Sequence, residues 1–204
     1  MREFVYFSQS ARTSGNFNTK ELMKAGRMDI VIHVVISAFF LSHDVREDTK
    51  LHLIFYGQPT PPRHIEITLR KKDGIEKASG AEKIDISKKD VGNLIKKILY
   101  KYKEGKKTEV FEGCFIEKKS FFDVIEQLKE QGKEIFLLDK AGEDIRKAKI
   151  REDCVFVLGD HKGLPKKELK RLKTMAKLVS VGNRMYFASH VVSIVNNELD
   201  RRGI

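Results

Sequence analysis

The stretch Cys154-Val155-Phe156-Val157-Leu158-Gly159-Asp160-His161-Lys162-Gly163-Leu164-Pro165 decides how this chain folds. Its first five residues are apolar without alternation, the pattern of a strand covered on both faces. It then breaks into small and polar residues. In an open α/β sheet, ligands bind in the crevice beyond the carboxyl ends of such strands. The same pattern returns about one helix later in Lys177-Leu178-Val179-Ser180-Val181-Gly182-Asn183, and it precedes in Leu137-Leu138-Asp139-Lys140-Ala141-Gly142. A glycine at such a place makes a turn or lets backbone approach a ligand closely. Three strand ends together suit a ligand held largely by backbone N–H and C=O groups, such as an adenine nucleoside.

Working outward, strands alternate with helices. Glu3 to Ser8, Leu51 to Tyr56, Glu134 to Leu138, Val155 to Leu158 and Leu178 to Val181 read as strands, with Arg63 to Arg70 as a further strand at an edge. Arg27 to Leu41 is almost wholly apolar and predicts a buried helix. Ser87-Lys88-Lys89-Asp90 has capping-box spacing, with Asp at the fourth position. It opens a helix carrying Val91, Leu94, Ile95, Ile98 and Leu99 on one stripe. Lys119 to Gln131, Lys166 to Met175 and Tyr186 to Arg202 complete the helices, and Lys101 to Lys107 reads as a mobile loop. The fold class is α/β, a mainly parallel sheet with helices on both faces, in a single domain over residues 1–204.

The chain has 204 residues, 41% of them hydrophobic, so a core forms without disulfides or metal. Lys and Arg number 40 against 29 Asp and Glu, a net charge of +11. That excess favours a polyanion, RNA or DNA first, although a lysine-rich surface alone also produces it. Cys114 and Cys154 form no CxxC, and no apolar leader opens the chain, which predicts a reducing cytoplasm. The run Ile30 to Leu41 is too short to span a bilayer, so no membrane partner is expected. There is no GxxxxGK[ST], no GxGxxG after a strand and no GxSxG. The six histidines show no HxxxH or HExxH, so no metal is expected.

With these residues in view, the chain resembles the archaeal tRNA pseudouridine N1-methyltransferases of the SPOUT superfamily. The likeness rests on Gly26-Arg27-Met28-Asp29, Ala38-Phe39-Phe40-Leu41-Ser42-His43-Asp44-Val45-Arg46 and Tyr56-Gly57-Gln58-Pro59-Thr60-Pro61-Pro62. It continues in Gly142-Glu143-Asp144, Phe156-Val157-Leu158-Gly159-Asp160-His161, Ala188-Ser189-His190 and Asn196-Asn197-Glu198-Leu199-Asp200. The resemblance implies a C-terminal trefoil knot, S-adenosylmethionine as cofactor, a homodimer and tRNA as partner. It implies methylation of N1 of a pseudouridine in the T-loop, at the position numbered 54 in tRNAs. By motif match, Leu138, Gly159, Ser180, Val181, Gly182, Met185 and Val191 would surround the cofactor. The chain departs from the family in Val191, where a Cys is usual, in Gly182-Asn183, where a Pro is usual, and in His33 and Ser37, where an Arg and an Asp are usual. Two other readings stay open: action on another RNA such as an rRNA pseudouridine, and an idle RNA-binding homologue.

Methyl transfer from a sulfonium needs no metal, only N1 in line with the methyl group and an exit for the N1 proton. Arg27 and Asp29 are the expected catalytic pair, unless Asp29 only anchors Arg27 at the helix start. His161 more readily orients its loop than moves protons, and His190 suits an interface or core. Gln58 and Arg63, beside the proline turn, are expected to meet RNA, and Tyr6 and Phe17 are candidate stacking groups. Arg70-Lys71-Lys72, Lys101 to Lys107 and the run from Lys166 to Arg171 could track phosphates.

Overall fold

The computed structural model describes residues 1–70 and 87–204. In chain order the elements are β1 (Arg2–Ser8), α1 (Met28–Phe39), β2 (Thr49–Phe55), β3 (Arg63–Thr68), α2 (Lys88–Tyr100), β4 (Thr108–Phe111) and β5 (Cys114–Glu117). They continue with α3 (Phe121–Glu130), β6 (Glu134–Asp144), β7 (Cys154–Gly159), α4 (Lys166–Lys173), β8 (Lys177–Ser180) and α5 (Ala188–Arg202). Eight strands form one sheet in the order β4-β5-β3-β2-β1-β7-β6-β8.

The sheet is mixed. From β2 through β1, β7 and β6 to β8 every pairing is parallel, while β3, β5 and β4 are added antiparallel. The sequence reading of a mainly parallel sheet therefore holds for one half, and β3 is an interior strand between β2 and β5, not an edge. The hairpin of β4 and β5 escapes the sequence pattern because its strands are four residues each, too short for alternation to show. Of the basic run Arg70-Lys71-Lys72, the last two residues lie outside the described residues.

Alternation along the central strands builds two cores. Phe4 and Tyr6 of β1 and Phe156 of β7 join the side chains of α1, α2 and α5 on one face. Val5, Phe7, Val155 and Val157 face the other way, onto α3 and α4. This is why those strands read as continuous apolar runs. Two of the helices, α2 and α3, start where a serine side chain satisfies a free N–H group. Ser120 and Asp123 form a complete capping box on α3, whereas at Ser87 only the half that accepts the Asp90 N–H is recorded as a cap. No described helix is long and apolar enough to cross a membrane.

α1 packs against α5, where the Asn196 amide donates to the Ser37 carbonyl at 3.1 Å. One turn further along α5, Arg2 and Arg46 share the Asp200 carboxylate, the former at 2.8 Å. The helix is thus tied both to β1 and to the loop before β2.

Candidate active site at the carboxyl ends of the parallel strands

The loops that follow β6, β7 and β8 surround one cavity of about 630 Å³. Leu138, Gly159, Ser180, Val181, Gly182, Met185 and Val191 all line it, so the structure gathers all seven residues expected around a cofactor. Most of the lining is apolar side chain and backbone. Each loop is held by its own short side chain. Asp139 accepts the Ala141 N–H at 3.0 Å and pairs with Lys173 at 2.9 Å. Ser180 accepts the Gly182 N–H at 3.1 Å and donates to the Gly182 carbonyl at 2.9 Å.

Asp160 does more than close its turn. It accepts from Lys162 N–H at 2.9 Å on one oxygen, and from the Ser8 hydroxyl and Gln9 N–H at 3.0 Å on the other. It therefore locks the loop after β7 to the end of β1. Gly159 is required for a related reason. A Cβ there would stand 2.7 Å from the Gly163 carbonyl carbon and 2.9 Å from the Leu164 nitrogen, so the loop folds back onto it. The space that Gly159 leaves is taken up by this loop contact, while its backbone lines the cavity. His161 is exposed beside it.

Arg27 and Asp29 stand at the start of α1, outside the cavity lining, while Ile30 of the same turn lies within it. Arg27 Nε and Nη2 each donate to the Asp29 carboxylate at 3.0 Å, a bidentate pair. Arg27 is the helix cap and sits at φ 64°, a left-handed conformation that costs a non-glycine residue roughly 1–2 kcal/mol. The helix consequently starts at Met28, one residue later than the sequence reading. The preceding Gly26 allows this. A Cβ on it would fall 1.7 Å from the Ser10 carbonyl oxygen, and one on Gly57 2.2 Å from the same atom. Three loops thus meet at Ser10, and the guanidinium is held where they converge.

The charges follow from this packing. Burial is the largest influence on the Asp29 carboxyl and would raise it, but the hydrogen bonds and charge of Arg27, with smaller contributions, together hold the group below its ordinary value. The pairing with Asp29 in turn raises Arg27. Tyr6 is fully buried, and burial with the charges of Asp160 and Asp29 keeps its hydroxyl un-ionised. His33, one turn beyond Asp29, is lowered by burial and by Lys88, so its ring is neutral near pH 7.

Other expected contacts are placed elsewhere. Arg63 is only 4% exposed. Its guanidinium lies 3.4 Å over the Tyr102 ring and donates to the Pro62 carbonyl at 2.9 Å and to Thr60 Oγ1 at 2.8 Å. It clamps the proline turn and is not available to RNA, unlike the exposed Gln58. Tyr6 and Phe17 are buried, so neither is a stacking surface; the exposed aromatic on that side is Tyr100, at the end of α2. Lys107 is committed to Glu66 at 3.0 Å. Lys166, Lys167 and Lys170 form an exposed face of α4, with Leu172 beneath. His190 is exposed and meets Phe187 edge-on at 5.5 Å.

Comparison with known proteins bears on this arrangement. Residues 1–204 match a family model described as SAM-dependent RNA methyltransferase. A protein of Methanococcus aeolicus named tRNA (pseudouridine(54)-N(1))-methyltransferase is 36% identical over 209 residues, covering 98% of each chain. One of the same name from Thermococcus kodakarensis is 33% identical over 206 residues, covering 98% of this chain and 99% of its own. The crystal structure of Archaeoglobus fulgidus Nep1 bound to S-adenosylhomocysteine shares the fold, with a TM-score of 0.63 over 99% of both chains at 15% identity.

Proposed function

The chain belongs to the SAM-dependent RNA methyltransferase family, and from that premise we propose that it methylates N1 of pseudouridine 54 in tRNA, as its relatives are named for doing. The observation that carries the reading is the convergence of three loops on one cavity beside a bidentate Arg–Asp pair, in a chain similar to those enzymes along its whole length.

The cavity fits the methyl donor. Its walls are apolar, as an adenine ring requires, and its rim presents the backbone of Ser180 to Gly182 and of Gly159 to Gly163. S-adenosylmethionine supplies a methyl group already activated by its sulfonium charge, so the chain's task is positioning. Leu138, Gly159, Ser180, Val181, Gly182, Met185 and Val191 would hold it. Val191 keeps an apolar wall where relatives usually have Cys.

Arg27 is the catalytic group of this reading. Loss of the N1 proton leaves negative charge on the base, and a guanidinium fixed at the cavity's edge stabilises that charge without reorganising. Asp29, held below its ordinary pKa, is a weak proton acceptor and acts as the anchor that aims Arg27. The N1 proton leaves to solvent.

We read residues 1–204 as one domain with a C-terminal knot and a homodimeric assembly. In support of the knot, β8 lies outside β6 while α5 returns to pack on α1. In support of the dimer, α5 carries a second apolar stripe. Val192, Val195 and Leu199 are buried against the core, whereas Phe187 is 72% exposed with Val191 and Ile194 half-buried beside it. Met185, 87% exposed, and Tyr186 extend the patch to the cavity mouth. The exposed lysines of α4 are suited to tRNA phosphates.

The test is mass spectrometry of nucleosides from unmethylated, pseudouridine-containing tRNA incubated with the protein and S-adenosylmethionine. N1-methylpseudouridine at position 54 is the expected product. A methyl group recovered at another nucleotide, or none with a protein that binds the cofactor, refutes the assignment.

A further inference from the structure

Away from the cavity, on the sheet face covered by α3, five ionisable side chains lie in a row across four neighbouring strands. They are Glu3 of β1, His52 of β2, His64 and Glu66 of β3 and Glu117 of β5. His52 stands opposite Glu66 in register, and His64 opposite Glu117. Glu3, His52 and His64 are 1%, 4% and 2% exposed. The methyl-transfer reading uses none of them.

Their hydrogen bonds leave one position chemically unresolved. His52 Nε2 lies 3.0 Å from a Glu3 oxygen, and His64 Nδ1 lies 3.0 Å from a Glu117 oxygen. An ionised carboxylate only accepts, so both of these outer nitrogens carry the ring proton. A neutral imidazole has only one such proton. The inner nitrogens, His52 Nδ1 and His64 Nε2, therefore point lone pairs at each other across 2.9 Å. A cation between them resolves the contact, whether an extra proton or a metal ion. Glu66 adds a third donor, with one ligand atom from each of the three residues within 4.8 Å of the others.

We propose that His52 Nδ1, His64 Nε2 and the Glu66 carboxylate form a divalent transition-metal site of the zinc class, which ties β2 to β3. Two features select this ion class. Two imidazoles with one carboxylate suit zinc, cobalt and nickel. Each imidazole also donates its far N–H to a carboxylate, Glu3 or Glu117, the support that metal-bound histidines require to fix tautomer and orientation. Zinc–nitrogen bonds of about 2.0–2.1 Å in a tetrahedron place two nitrogens about 3.3 Å apart, so the rings need open only a few tenths of an ångström. Entry is from the Glu66 side, where Lys107 (3.0 Å) and Lys50 (3.4 Å) pair with its carboxylate and Lys107 is 40% exposed. Those lysines on Glu66, and Lys133 on Glu3, balance two of the three carboxylates before the ion arrives. They compete with it for Glu66. The helical spacings that argue against zinc in the sequence do not apply, because these histidines meet across two antiparallel strands.

The test is a cobalt(II) titration of tag-free, chelator-stripped protein, read by visible d–d absorption. The expected result is saturation at one cobalt per chain, with displacement by one equivalent of zinc. Binding weakens at least tenfold in Glu66→Gln and is lost in His64→Asn. It tightens in Lys107→Met, which removes a competing cation, and is unchanged in His43→Gln at an exposed histidine. Absence of d–d bands at millimolar cobalt overturns the site and leaves a shared proton between the rings. Bands that survive both His64→Asn and Glu66→Gln overturn it equally. Should His64→Asn fail to fold by circular dichroism, Glu66→Gln and Lys107→Met decide. S-adenosylmethionine binding by the stripped protein is expected to persist, so failure of this site leaves the methyltransferase reading untouched.

Discussion

The two halves of the sheet handle buried polarity in opposite ways. In the parallel half, strand ends break into Gly159, Ser180 and Gly182, and their backbone faces an open cavity. In the antiparallel half, polar side chains turn on one another. Arg63 is closed by Tyr102, Thr60 and Pro62, and the outer ring nitrogens of His52 and His64 by Glu3 and Glu117, which leaves only the inner pair face to face across 2.9 Å. Burial is similar in both, since Asp160 is 8% exposed and Arg63 is 4%. What suits the parallel strand ends to an organic ligand is therefore unspent hydrogen-bonding capacity beside free volume, not depth.

The largest expected effect sets the open half apart. Gly159→Val pushes a side chain into the backbone of Gly163 and Leu164, so the loop must move and the calorimetric heat of S-adenosylmethionine binding should vanish. Retained binding would show that the cavity tolerates a rearranged loop and would break the contrast. Next comes Arg27. Loss of one preorganised donor costs roughly 10²–10³ in turnover, and Arg27→Ala should show that in single-turnover assays with cofactor binding intact. Arg27→Gly should turn over equally slowly yet melt higher than Arg27→Ala, because glycine accepts φ 64° without the roughly 1 kcal/mol penalty. If the two variants differ in turnover instead, Arg27 acts through backbone placement.

The closed half should reveal itself in acid. Burial drives His64 from 6.5 to about 4, against its bond to Glu117. Glu66 falls from 4.5 to about 2, as His52, Lys107 and Lys50 outweigh burial. In both cases the unfolded chain takes up a proton before the folded one. Stability is then fully present above pH 6.5 and is lost as pH falls, first toward 4 through His64 and then toward 2 through Glu66. Melting curves of metal-free protein across this window should show the decline, and His64→Asn should flatten its upper part. A flat profile in the unmutated protein would mean that the network is not closed. The smallest effect belongs to Lys166, Lys167 and Lys170. Neutralising them should reduce the salt slope of tRNA binding by up to roughly 0.9 per lost phosphate contact. Turnover at saturating tRNA should stay near normal.

The same contrast explains what the sequence could disclose. Strand ends such as Leu158-Gly159-Asp160 are local, and their composition alone places them at a cavity. The Arg27–Asp29 pair spans three residues and is equally local. The fate of Arg63 depends on Tyr102, which arrives after α2, and so it reads falsely as an RNA contact. The meeting of His52 with His64 depends on the register of β2 against β3, which no spacing rule encodes. The hairpin at Thr108–Phe111 and Cys114–Glu117 has strands of only four residues, too short for alternation to show, and it moved β3 from the edge to the interior.

The central place of β1 carries a consequence for how the protein is made. Glu3 to Phe7 pair on one side with β2 but on the other with Val155 to Gly159. Once made, β1 thus waits for a neighbour synthesised about 150 residues later. At about 5–20 residues per second, that edge stays open for roughly 8–30 seconds. Meanwhile Phe4, Tyr6 and Phe7 have no β7 beside them, and any nascent chain released before Cys154 displays an apolar strand edge to its neighbours.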